Sequence, residues 1–129
     1  IVISIEAKRV NGGWEAYTDA GRCPTGRDAR TWAQEAAKLG AGEILITSVD
    51  RDGTRKGTDL ELAATIKLPI PVVLAGGIAT GKHAVAASQH GDAVAIGTAL
   101  HYGLTTIKEV KATLAKAGLE VRYGDPGTF

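Results

Sequence analysis

The sequence predicts an α/β fold on a parallel sheet, and three observations point to it. Apolar runs rich in β-branched residues alternate with stretches of helical character in the order βαβαβαβα. One run, Ile44 to Thr47, passes straight into the polar, glycine-bearing loop that ends at Thr54; parallel α/β folds place their chemistry where strands end and loops begin. The chain has 129 residues, whereas a closed (β/α) barrel needs about 250.

The first strand is predicted over Ile1 to Ala7, where alternation places Val2, Ser4 and Glu6 on one face and Ile1, Ile3 and Ile5 on the other. The isoleucine face should lie under helices, leaving Glu6 on the opposite, interior face. The next segment, Val10 to Thr25, carries Asn11-Gly12-Gly13 and then Trp14-Glu15-Ala16-Tyr17-Thr18, which reads as an added hairpin rather than a helix. Asp28 to Leu39 follows as the first main helix, with Asp28 as its cap, Gly40 as its stop and Trp32 as a core residue.

The second strand, Ile44 to Thr47, places Glu43, Leu45 and Thr47 on one face and Ile44, Ile46 and Ser48 on the other. Helix over Asp59 to Ile66, strand over Val72 to Ala75, helix over Thr80 to Ser88 and strand over Ala93 to Ile96 continue the alternation. A last helix is predicted from Thr105, as cap, to Ala117, stopped by Gly118; the tail Asp125 to Phe129 is expected to be loose.

Composition narrows the function classes. Fifteen basic and fourteen acidic residues give a formal charge of +1, too small a field to imply nucleic acid or an anionic membrane. Cys23 is the only cysteine, which excludes an intrachain disulfide and a multi-cysteine metal site. With no signal peptide or long apolar span in view, a cytoplasmic location is expected. No methionine occurs, so Ile1 reads as a processed or trimmed start. His83, His90 and His101 show no ligand spacing and are assigned to the surface or to helix packing, with no metal expected. The scattered aromatics make no stacking platform for nucleic acid.

The strand ends carry the candidate chemistry. Glu6 can serve as a general acid or base, or be held by Lys8 or Arg9 in a structural ion pair. Asp52 and Gly53 follow the second strand; freed amides at a glycine turn can cradle a phosphate and Asp52 could share in proton transfer, although Asp-Gly is also a common turn dipeptide. Gly76 and Gly77 follow the third strand, and Gly97 with Thr98 follows the fourth. Two such loops in succession suit a phosphate, which (β/α) barrels hold between their last loops.

Ile5 to Arg9, the block Gly40 to Thr54 and the Gly76-Gly77 loop resemble the carboxy-terminal half of the cyclase subunit of imidazole glycerol phosphate synthase, an enzyme of histidine biosynthesis. The resemblance covers nearly the whole chain. It implies a (β/α)4 half of a TIM barrel, four parallel strands with an added hairpin after the first, forming one half-barrel domain over residues 1–129. It implies Glu6 at the position of a catalytic aspartate, Thr47 as an active-site threonine, Asp52 as a functional aspartate, and Gly53, Gly76, Gly77, Gly97 and Thr98 as phosphate-loop positions. Glu43 matches one member of a charged gate that admits ammonia. No cofactor is implied.

Departures qualify the likeness. Glu6 moves the carboxylate by one methylene, Ala75 stands where serine is common, and Thr98 where the family usually has serine. The second catalytic aspartate, the second phosphate site and the rest of the gate belong to the other half, which tells against a glutaminase partner. The resemblance therefore implies a phosphate-binding half-barrel with little or no turnover by itself, or an active cyclase-lyase once a separate amino-terminal half or a second copy completes it. A related phosphosugar isomerase shares the architecture but fits Gly40 to Thr54 less well. Four parallel strands would leave two unpaired edges and expose Val2, Leu45 and Val73, so a homodimer or higher homo-oligomer is expected.

Overall fold

The computed structural model describes residues 1–124. β1 (Val2–Val10) leads into β2 (Gly13–Thr18), β3 (Cys23–Asp28) and α1 (Ala29–Lys38). There follow β4 (Glu43–Ser48), α2 (Leu60–Thr65), β5 (Val72–Ala75), α3 (Gly81–Ala87), β6 (Ala93–Val94), α4 (Thr98–His101) and α5 (Ile107–Lys116). All six strands form one mixed sheet in the order β3-β2-β1-β4-β5-β6. The expected tail, Asp125 to Phe129, lies outside the described residues.

The parallel part matches expectation: β1 pairs with β4, β4 with β5 and β5 with β6, all in parallel. The expected hairpin after the first strand also forms, as β2 and β3, but it joins the same sheet in antiparallel pairing, so that sheet has six strands among the described residues rather than four. β1 runs on past Ala7, since Lys8, Arg9 and Val10 pair with Glu15, Trp14 and Gly13 across a turn in which Gly12 takes φ +85°. One predicted free edge is therefore covered by β2 and shifted to β3, whose Pro24 and Gly26 are poor templates for further pairing.

Helix starts follow side-chain caps. Asp28, Asp59 and Thr80 accept the amides of Thr31, Leu62 and His83 and so open α1, α2 and α3. α5 is capped by Thr106 rather than Thr105, because only Thr106 stands three residues before Glu109 and completes a capping box with it. Thr105 instead donates its hydroxyl to the Glu109 carboxylate at 3.1 Å. β6 stops at Val94, short of the predicted Ile96, with no strand beyond it among the described residues to extend the ladder, and α4, absent from the sequence prediction, follows Gly97.

The core lies on one side of the sheet. Ile5, Ala7, Ile44, Ile46, Val72 and Leu74 pack in one cluster with Ala29 and Ala33 of α1, Leu62 and Ala63 of α2, Ala84 and Ala87 of α3 and Val110 of α5. The many alanines let helices approach the strands closely. α3 and α5 also meet tightly, for a Cβ on Gly81 would lie 2.4 Å from Thr113. The other face carries Val2 and Ser4 exposed and Leu45, Thr47, Val73 and Ala75 half-buried. Helices on one face only distinguish this sheet from a doubly wound one, which is covered on both. No helix among the described residues is long and apolar enough to cross a membrane.

Candidate functional site

The loop from β4 to α2 is wound by its own backbone. The amides of Arg51 and Asp52 both donate to the Ser48 carbonyl, and the Thr54 amide and hydroxyl both donate to the Arg51 carbonyl, at 3.0 and 2.7 Å. Gly53 and Arg55 then take left-handed backbone, φ +74° and +62°. The Gly57 amide donates to the Gly77 carbonyl at 2.8 Å and ties this loop to the one after β5. Gly76 and Gly77 permit that closeness: with φ of +96° and +82°, a Cβ at either would lie 2.5 Å from the Ser48 carbonyl or 2.6 Å from that of Arg51. These glycines serve loop packing as well as any ligand. His83 supports the arrangement, accepting the Ala79 amide and packing beside Gly57.

The two loops and the start of α4 enclose a small cleft lined by Asp52, Gly53, Arg55, Gly76, Gly77, Gly97 and Thr98, with Ala95 and Ala99 beneath. All five glycine and threonine candidates for phosphate meet there, and Asp52 with them. A Cβ added at Gly53 or Gly97 would meet nothing within 4 Å, so open space lies beside these two backbones. Among the described residues, no backbone carbonyl accepts the amides of Gly53, Gly77 or Gly97. Unclaimed N–H groups bordering an open cleft, with one arginine at its rim, suit an anion. A larger, mainly apolar groove lined by Ile1, Ile3, Trp32 and Leu39 lies at the opposite end of the parallel strands.

Glu6 and Thr47 lie outside the cleft and beside each other. Register aligns Tyr17, Glu6, Thr47 and Ala75 in one row across β2, β1, β4 and β5, on the face without helices. Ala75 directly precedes Gly76, so Glu6 stands two strand spacings, roughly 10 Å, from the cleft wall. Its carboxylate accepts the Gly21 amide at 2.7 Å. Gly21 belongs to the β2–β3 turn, which folds over this face against Val49; a Cβ there would lie 2.6 Å from that side chain. The ion pair considered for Glu6 does not form: Lys8 lies over the Tyr17 ring and Arg9 turns to Asp59 and Glu61. Glu43 stands at the other end of β4, opposite Val2, far from the cleft.

Sequence reasoning missed the scaffold that holds the cleft loop. Asp59, 4% exposed, caps α2 through the Leu62 amide, accepts Trp14 Nε1 at 3.0 Å and meets Arg9 Nη2 at 2.9 Å. Burial is the largest influence on its carboxyl and pushes it up, but these hydrogen bonds and the Arg9 charge outweigh burial and hold it below the ordinary aspartate value. Trp14 is buried by the same contacts, while Trp32, expected in the core, packs against it half-buried, with the Arg27 guanidinium 3.7 Å from its ring centroid. Arg55 was also missed, although the basic pair Arg55-Lys56 directly after Asp52-Gly53-Thr54 was a readable sign.

Among the described residues, no group of three or more His, Cys, Asp or Glu side chains is arranged to hold a metal ion. A family model described as "Histidine biosynthesis protein" matches residues 1–106. That span contains Glu6, Glu43, Thr47 and every residue of the cleft.

Proposed function

The chain belongs to the histidine biosynthesis protein family, and from that premise we propose that it is a cyclase-type half-barrel. In this reading it grips one phosphate of a bis-phosphorylated ribonucleotide and self-associates, or joins a separate amino-terminal half, to complete its site. One observation carries the reading: loops far apart in sequence bring Asp52, Gly53, Gly76, Gly77, Gly97 and Thr98 around a single cleft.

The geometry suggests how the parts work together. Backbone amides of the glycine loops would hold the phosphate without competing with its charge. The ligand body would then run along Ala75 and Thr47 toward Glu6, a path of roughly 10 Å over the strands. Asp52 stands at the phosphate end of that path and Glu6 at the far end, each able to accept or return a proton. The Gly21 amide orients the Glu6 carboxylate. Such a site has one phosphate grip for a substrate with two, so the second grip and an opposing carboxylate come from another polypeptide. Without it, little or no turnover is expected.

Ammonia-dependent turnover of the bis-phosphorylated ribonucleotide, with and without an added amino-terminal half, tests this. Turnover that Glu6→Gln abolishes supports the cyclase reading, and phosphate binding without turnover in the unsupplemented chain supports the half-site. A chain that binds no phosphate under either condition would rule the reading out.

A further inference from the structure

Among the described residues, Arg55 is the only cation lining the cleft. Among the described residues, Arg9, Arg22, Arg27 and Arg30 each close on a carboxylate; Arg55, like Arg51 and Arg122, makes no ion pair, and of these three only Arg55 lines the cleft, where it leaves even Asp52 on the same wall unpaired. Its guanidinium lies instead over the exposed ring of Tyr102, 5.4 Å from the centroid. Tyr102 ends α4, on the side of the cleft that carries Gly97 and Thr98. The arginine thus reaches from the β4–α2 loop toward the opposite wall.

The backbone under Arg55 is set for this. Left-handed φ is costly for a residue with a Cβ, and here the Thr54 hydroxyl fixes the turn by donating to the Arg51 carbonyl while accepting the Lys56 amide at 3.3 Å. The side chain is therefore launched from a fixed point over an open mouth. A cation–π contact at an exposed site is weak and easily exchanged, whereas a guanidinium facing a phosphate makes two parallel charge-assisted hydrogen bonds.

We propose that Arg55 is a charged jaw of the cleft, kept over the mouth by the Tyr102 ring and closing on the oxygens of a phosphate monoester seated against Gly53, Gly77 and Gly97. This rests on the phosphate-cleft reading above and adds the group that supplies its charge. The ligand class it favours is the dianionic phosphate terminus, over neutral sugars of the same shape.

Calorimetric titration with inorganic phosphate and with ribose 5-phosphate tests the jaw. Arg55→Gln should weaken both by about tenfold or more, Arg55→Lys by less, because a lysine keeps the charge but not the fork. Tyr102→Leu should weaken binding a few-fold, while Tyr102→Phe, which keeps the ring, should leave it unchanged. Both residues are exposed, so circular dichroism and urea midpoints should match the parent in each variant. Parent-like affinity in Arg55→Gln would overturn the jaw and leave the cleft standing. Failure of the parent chain to bind either probe, at concentrations up to tens of millimolar, would remove the cleft and the jaw together.

Discussion

Arg9 and Asp59 grip the two ends of the cleft loop. Arg9 Nη2 lies 3.1 and 2.9 Å from the Asp59 carboxylate oxygens, and the backbone N–H of the same arginine donates to Asp50 at 2.6 Å. Between Asp50 and Asp59 run Asp52, Gly53 and Arg55. A residue at the end of β1 therefore anchors a loop that belongs to β4, which links the sheet to the placement of the cleft.

Replacing Asp59 by alanine should destabilise the protein by about 3 kcal/mol, since it removes a helix cap and leaves Trp14 Nε1 buried without an acceptor. Urea unfolding monitored by tryptophan fluorescence reads this directly. A loss under about 1 kcal/mol, the ordinary contribution of one hydrogen bond, would show that the network is replaceable by water.

The same carboxylate sets an acid dependence. An unfolded aspartate titrates near 3.8, and the folded Asp59 lies below that value. Its contribution is therefore complete above about pH 4 and is lost as the pH falls through the lower, folded value, because the unfolded chain takes up its proton first. Asp28, lowered chiefly by its hydrogen bond to Arg30, acts in the same direction. Stability measured from pH 6 to pH 2 should fall, and Asp59→Asn should flatten that fall; parallel profiles for parent and variant would assign the acid sensitivity elsewhere.

Gly77 and Gly97 border the same cleft but should respond oppositely to alanine. At Gly77 the new Cβ would lie 2.6 Å from the Arg51 carbonyl and 2.7 Å from that of Gly57, with φ +82°, so a loss of about 2–4 kcal/mol is expected. At Gly97 the Cβ meets nothing, so Gly97→Ala should change stability by less than about 0.5 kcal/mol. It should still weaken phosphate binding several-fold by occupying ligand space. Unchanged affinity in Gly97→Ala would place the ligand elsewhere.

The legibility of each part followed how local its cause is. β4 could be read because Ile44, Leu45 and Ile46 lie between Gly42 and Asp50, and the phosphate candidates could be read because each glycine follows its own strand. β3 could be read only as the far arm of the hairpin expected over Val10 to Thr25, not as a strand running to Asp28: Cys-Pro-Thr-Gly-Arg-Asp has little strand propensity and is held by its partner, with Thr25 Oγ1 donating to the Ala16 carbonyl and the Gly26 amide to Glu15. The contacts Arg9–Asp59 and Arg55–Tyr102 were hidden for a related reason. Each joins segments that only the folded sheet and its loops bring together, and no local pattern marks an arginine's distant partner.

The face without helices should make the chain associate. Leu45 and Val73 are paired in register across β4 and β5, Ala93 continues the row onto β6, and Val2 is 55% exposed on β1. In a complete barrel these side chains would fill the interior. We propose that a second copy covers this face, which would bring a second Glu6 and a second phosphate cleft to the same assembly. Light scattering at micromolar concentration should then give a dimer or larger. Leu45→Lys or Val73→Lys should shift it toward monomer, since burying an unpaired ammonium costs several kcal/mol, while circular dichroism stays constant because neither side chain belongs to the helix-facing core. A parent chain that is monomeric and fully folded would instead show that an open sheet face with half-buried Leu45 and Val73 is stable in water.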